Sequence, residues 1–167
     1  MPGLRPDIDP QGLLEYSVVF TDRSLNHMSL AFQQVMRDIH ATLCDVYRAE
    51  RAVIVPGGGT YAMEAVARQL ATGRRVLVIR NGFFSYRWSQ IFEAGSIPAH
   101  ETVLKARRQG EGDGGGDQAP FAAPPIEEVV ARIAQERPDV VFAPHVETAS
   151  GIILPDAYVR AVADAVH

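Results

Sequence analysis

Lysine is almost missing from this chain. Of its 16 basic residues only Lys105 is a lysine, and the rest are arginines. Chemistry that needs a primary amine therefore has one candidate here or none. Cysteine is as scarce. Cys44 stands alone, so no intrachain disulfide forms and a reducing, cytoplasmic setting fits. Its surroundings, IHATLCDVY, read as a helical apolar face, which suits a buried small hydrophobe better than a nucleophile. An excess of basic charge is also lacking. The net charge of -4 removes the electrostatic reason to expect nucleic acid or an anionic membrane as a partner. No apolar run is long enough to span a bilayer. The opening MPGLRPDIDPQG is polar and has no signal-peptide pattern.

What is present is ordinary for a globular domain. The 167 residues are 47% hydrophobic and 22% charged, enough for one real core. Residues 1–23 are broken by Pro2, Pro6 and Pro10 and read as an N-terminal arm, with GLLEYSVVF a short strand or a segment lying on a partner. Ser24 or Asn26 can cap a helix running to about Tyr47, with Leu30, Val35, Met36, Ile39, Leu43 and Val46 at helical spacing on one face. AVIVP is a continuous apolar run, as expected of a strand covered on both faces. Thr60 opens a helix to about Ala71, closed by Gly73. RVLVIR is a strand, 83–93 a helix ending at Gly95, and ETVLKA a third strand. Residues from about 106 to 124 are Gly- and Pro-rich and read as a flexible loop. Pro125 begins the helix IEEVVARIAQER, DVVFAPH is a fourth strand, and Pro155 opens a last helix.

Buried strands alternating with helices predict an α/β fold, a mostly parallel sheet with helices on both faces. Ligands of such sheets gather at the carboxyl ends of the strands. Those ends read PGGGT, RNGFF and PHVETASG. Gly57, Gly58 and Gly59 precede a helix start, where glycines let a phosphate reach unpaired N–H groups and Thr60 adds a hydroxyl. The spacing is neither a Walker loop nor G-x-G-x-x-G. A plain strand-to-helix turn is the simpler alternative. After the Asn81-Gly82 turn come Phe83 and Phe84. One is expected in the core, and the other is free to stack on a flat ring. Trp88 and Phe92 fit the core at helical spacing. His145, Glu147, Thr148 and Ser150 crowd the last strand end. No third metal ligand joins them, and there is no G-x-S-x-G elbow, so hydrogen bonding within the turn is the expectation. No metal site and no catalytic residue is assigned. A phosphate cradle, an aromatic plate and a hydroxyl cluster together suit a phosphorylated planar cofactor, pyridoxal 5'-phosphate above others.

PGGGTYAMEA, VLVIRNGFFSYRW and HVETASGIILP, in this order and spacing, resemble class V aminotransferases of PLP fold type I, in the branch of the alanine– and serine–glyoxylate enzymes. The resemblance runs from about Asn26 to the end. It implies the N-terminal part of a large domain with a seven-stranded sheet, here 24–167, working as a homodimer. It implies that Gly58, Gly59 and Thr60 bind the cofactor phosphate, that Phe84 stacks on the ring, and that Thr148 bonds near the ring hydroxyl. Small amino acids and 2-oxo acids such as glyoxylate are the implied substrates. The family's ring-nitrogen Asp, Schiff-base Lys and carboxylate-holding Arg come after the last residue here, and Lys105 lacks the context of that lysine. The Pro-Gly-Pro substrate loop of many relatives is replaced by DIDPQGLLEYSVVFTDR. The final DAYVRAVADAVH stops in mid-pattern, as in a fragment of a longer polypeptide. The chain by itself is therefore expected to be inactive, completed by a missing C-terminal portion or a second subunit. A non-catalytic α/β phosphate-binding or interaction domain is the alternative.

Overall fold

The structure, a computed structural model, describes residues 30–109 and 119–166. The arm 1–23, the capping residues Ser24 and Asn26, and the centre of the Gly-rich loop lie outside them. The chain divides into two compact units after Val55.

In the first unit, α1 spans Leu30–Tyr47 and none of its residues is buried. The apolar positions Val35, Ile39 and Val46 are exposed, contrary to the expected packed face. Cys44 is half-buried, its Sγ 3.5 Å from His40 Nε2. The other ring nitrogen of His40 lies 3.0 Å from the Ala52 carbonyl. The expected strand AVIVP is not formed: 51–55 has no regular secondary structure, and Val53 is 85% exposed. An apolar run records a need for cover on both faces, and Val53 lacks it.

The second unit carries the predicted layers. Its elements are α2 (Gly59–Leu70), β1 (Arg75–Arg80), α3 (Phe83–Gly95), β2 (His100–Lys105), β3 (Arg107–Arg108), β4 (Phe121–Ala122), α4 (Ile126–Glu136), β5 (Val140–Phe142), β6 (Val146–Glu147), β7 (Ile152–Ile153) and α5 (Asp156–Val166). The parallel sheet has three strands in the order β2-β1-β5, one fewer than expected. β1 is its centre, and its side chains alternate between two cores. Val76 and Val78 meet Ala67, Ile91, Phe92 and Phe142, the layer of α2 and α3. Leu77 and Ile79 meet Leu104, Val129, Ile133 and Val162, the layer of α4 and α5. A period of two on a strand, matched by helical periods on both sides, forces this sandwich.

Two short antiparallel ladders were not expected. β3 pairs with β4 at the two margins of the loop predicted for about 106–124. β6 pairs with β7 just past the last parallel strand. Two-residue ladders have no period to read. The Tyr158 hydroxyl fastens α5 by donating to the Pro124 carbonyl at 2.8 Å. Burial, with Glu128 and Glu127 nearby, pushes that hydroxyl up to about 12, so it stays a donor.

Trp88, Phe92 and Phe142 form an aromatic group under α3, with Phe92 and Phe142 edge to face at 5.2 Å. Phe92 is 2% exposed. Phe92→Ala in the full-length protein is expected to cost about 3–5 kcal/mol. Urea unfolding measures it, and a loss within about 0.5 kcal/mol, the range of a surface substitution, would contradict this core.

Candidate functional site

Two helix N-termini stand at the ends of the site sequences, and they are finished in opposite ways. The N-terminus of α2 is open. Gly58 is its N-cap and no side chain caps it. The helix thus begins at Gly59, one residue before the predicted Thr60. The N–H groups of Gly59 and Thr60 lie in the first turn, where no intrahelical acceptor exists. The three glycines differ in kind. Gly57 has φ +120, and a Cβ there would lie 2.7 Å from the Tyr61 ring, so the turn itself requires it. Gly58 and Gly59 have no left-handed backbone, and a Cβ on either would meet nothing within 4 Å. The fold does not require these two to be glycine. What their missing side chains leave is open space at a helix N-terminus, which fits a bound phosphate. Thr60 is exposed beside them and lines a groove with Arg87 and Gln90 of α3.

The N-terminus of α3 is closed by a distant carboxylate. Gly82 occupies the N-cap and has no side chain to offer. Glu147 of β6 takes the place of that side chain. Its carboxylate accepts the Phe84 N–H at 3.1 Å, the Ser85 N–H at 2.8 Å and the Ser85 hydroxyl at 2.6 Å. The Ala149 N–H approaches the same group at 3.4 Å. Ser85 Oγ in turn accepts the Asn81 and Gly82 N–H groups at 2.9 and 3.0 Å. Gly82 is a glycine because of approach, not of dihedral angle: its φ is 175, and a Cβ would lie 2.7 Å from Glu147 Cγ.

The expectation that one of Phe83 and Phe84 lies in the core is corrected by the structure. Neither is in the core; they are 53% and 54% exposed. The first turn of α3 projects both outward, and their rings meet at 6.0 Å in an edge contact. The Arg87 guanidinium stands 5.2 Å over the Phe83 ring. Trp88 and Phe92 do pack in the core, as expected. Thr148 and His145 are exposed, and Glu147 bonds within its turn only at Ala149, its main partners being on α3. Lys105 is exposed at the end of β2. The Glu147 carboxylate thus joins the first turn of α3, which carries Phe84, to Ala149, the residue after Thr148. No hydrogen bond or ring contact links Gly58, Gly59 or Thr60 to Phe84 or Thr148 among the described residues.

Sequence reasoning missed two things here. The capping role of Glu147 depends on a partner 62 residues away. Asn81, taken for a turn residue, is 2% exposed, and both polar atoms of its amide lack a partner, as does Ser150 Oγ. A glycine at an N-cap followed three residues later by serine was the available hint that a cap comes from elsewhere.

The fold with these strand ends is that of the N-terminal part of fold type I aminotransferases. An alanine–glyoxylate aminotransferase from Nostoc sp. superposes with a TM-score of 0.64 at 26% identity, over 85% of this chain and 35% of that one. A ureidoglycine–glyoxylate aminotransferase from Bacillus subtilis gives 0.66 at 20% identity, over 85% and 34%. The sequence relatives are enzymes of the same kind. The chain is 28% identical over 145 residues to an L-aspartate–glyoxylate aminotransferase of Paracoccus denitrificans, and 26% identical over 136 residues to the alanine–glyoxylate aminotransferase of Rattus norvegicus. These stretches cover 85% and 80% of this chain but 34% and 30% of the relatives. The chain therefore spans about a third of their length, and its similarity is to class V aminotransferases. No protein-family profile matches it. No helix among the described residues is long and apolar enough to cross a membrane.

Burial pushes the Glu147 carboxyl up, but its hydrogen bonds to Ser85, Phe84 and Ala149 outweigh this and hold it below the ordinary carboxylate range. A carboxyl lowered by folding stabilises fully above its unfolded value, about 4.3. That contribution is lost as pH falls through the lower folded value. The stability gap between the parent and Glu147→Gln, from denaturant unfolding, is expected to be constant above about pH 5 and to shrink in more acid solution. A gap unchanged across the acid range would contradict this.

Proposed function

We propose that this chain is the phosphate- and ring-holding portion of a pyridoxal phosphate-dependent class V aminotransferase, one that moves an amino group from a small amino acid to a 2-oxo acid such as glyoxylate. The observation that carries the proposal is the pair Gly58 and Gly59. They are glycines the fold does not need, placed where a phosphate would meet the free N–H groups of α2.

The remaining assignments follow the exposed groups. Gly58, Gly59 and Thr60 would hold the phosphate by N–H groups and a hydroxyl, aided by the positive end of the α2 dipole. Phe84 would present its ring as the apolar plate under the cofactor ring. Thr148 would offer a hydroxyl at the ring edge. When bound, pyridoxal phosphate supplies the electron sink that stabilises negative charge at the substrate α-carbon. The residues here bind and orient. The covalent step needs an amine that Lys105, exposed at a strand end, does not provide. The lysine, the ring-nitrogen acid and the arginine for the substrate carboxylate would come from the rest of the protein, as would a second subunit in a homodimer. By the same reading the chain alone is inactive.

Cofactor titration of the full-length protein tests this. Gly59→Val is expected to abolish measurable pyridoxal phosphate binding and leave the circular dichroism spectrum unchanged, because a Cβ there meets no protein atom. Phe84→Ala should weaken binding about fivefold through lost stacking. Parent affinity in Gly59→Val would mean that the glycines serve only the turn.

A further inference from the structure

The Glu147 carboxylate does more than end a helix, because it accepts the Phe84 N–H and also the Ala149 N–H next to Thr148. We propose that Glu147 is a positioning residue: its carboxylate fixes the Phe84 ring plate and the Thr148 hydroxyl in one geometry. This rests on reading the site as a pyridoxal phosphate site.

Phe84 is half exposed, and among the described residues its one aromatic neighbour is the equally exposed Phe83. Side-chain packing therefore does little to place its ring. Its backbone does, through the N–H that Glu147 accepts at 3.1 Å. Thr148 is exposed too, and its hydroxyl has no partner among the described residues. The chain on either side of it is tied down by the same carboxylate, at Glu147 itself and at the Ala149 N–H. A group 1% exposed thus links two surface positions that are 64 residues apart in sequence.

The arrangement exceeds what a helix end requires. Ser, Asp or Asn at position 82 would cap α3 locally. The chain has glycine there, and a Cβ at that position would collide with the Glu147 side chain. The space is given to a carboxylate from β6, which caps the helix and also joins it to the turn that carries Thr148. No ion pair involves Glu147 among the described residues. N–H and O–H donors alone hold its charge, so its position is tightly specified. Glutamine keeps the shape of this side chain but points an NH₂ group at one of the N–H donors of α3. One of the two bonds to Phe84 and Ser85 is then lost.

A double-mutant cycle on the full-length protein decides it, with pyridoxal phosphate titrated at equilibrium. Glu147→Gln in the parent is expected to weaken binding about fivefold, the factor lost with ring stacking. In a Phe84→Ala/Thr148→Val background the same change should add almost nothing to the binding loss, while still lowering Tm. A purely structural role would give the same binding loss in both backgrounds, and that result, or no loss in the parent, overturns the proposal. If Glu147→Gln does not fold, Ser85→Ala takes its place in the cycle, since it removes only the side-chain donor to the carboxylate. A parent protein that fails to bind pyridoxal phosphate overturns the reading of the site itself, and the role of Glu147 with it.

Discussion

A buried carboxylate on the first turn of α3 is the constraint from which the site takes its shape. Glu147 sits where water does not reach, and a charge there is tolerated only if donors surround it. Four donors do, three from the backbone and one from Ser85. Each donor pins a piece of chain. The start of α3, the end of β1 through Ser85, and the turn after β6 are all fixed relative to one another. Gly82 is the consequence: its side chain is absent because the Glu147 side chain fills that volume. A substitution at 82, 85 or 147 therefore disturbs one shared structure.

The N-terminus of α2 is finished differently, with no side-chain cap. At α2 no side chain caps the first turn, and a Cβ on Gly58 or Gly59 would meet no other atom within 4 Å. One helix start is sealed by a carboxylate and the other is left without a side-chain cap. A sealed N-terminus fixes the backbone at Phe84 and Ser85. An open one has its positive end and its N–H groups free for an anion. Under the proposed function, that contrast would divide the labour between phosphate and ring.

Much of this was legible in the sequence, and what was not has physical causes. RVLVIR was legible as a strand of a sheet with helices on both faces, and two cores are found. Gly73, Pro125 and Pro155 marked helix ends that the structure keeps within a residue or two. AVIVP misled because hydrophobicity states a demand for cover without naming its source, and Val53 remains in the open. Phe83 misled in the same way, since an aromatic at a helix start was assigned to the core by type alone. The β6–β7 hairpin and the cap at Glu147 were hidden for a different reason. A two-residue ladder has no period, and a hydrogen bond across 62 residues leaves no local pattern. Gly58, Gly59, Thr60, Phe84 and Thr148 could be picked out as candidates, but the carboxylate that joins the segments carrying two of them became visible only in three dimensions.

The most direct measurement is a crystal structure of the full-length protein with pyridoxal phosphate. The account places the phosphate on the N–H groups of Gly59 and Thr60, with the cofactor ring against Phe84 and its edge toward Thr148. A phosphate bound anywhere else, with the first turn of α2 left to solvent, would contradict it.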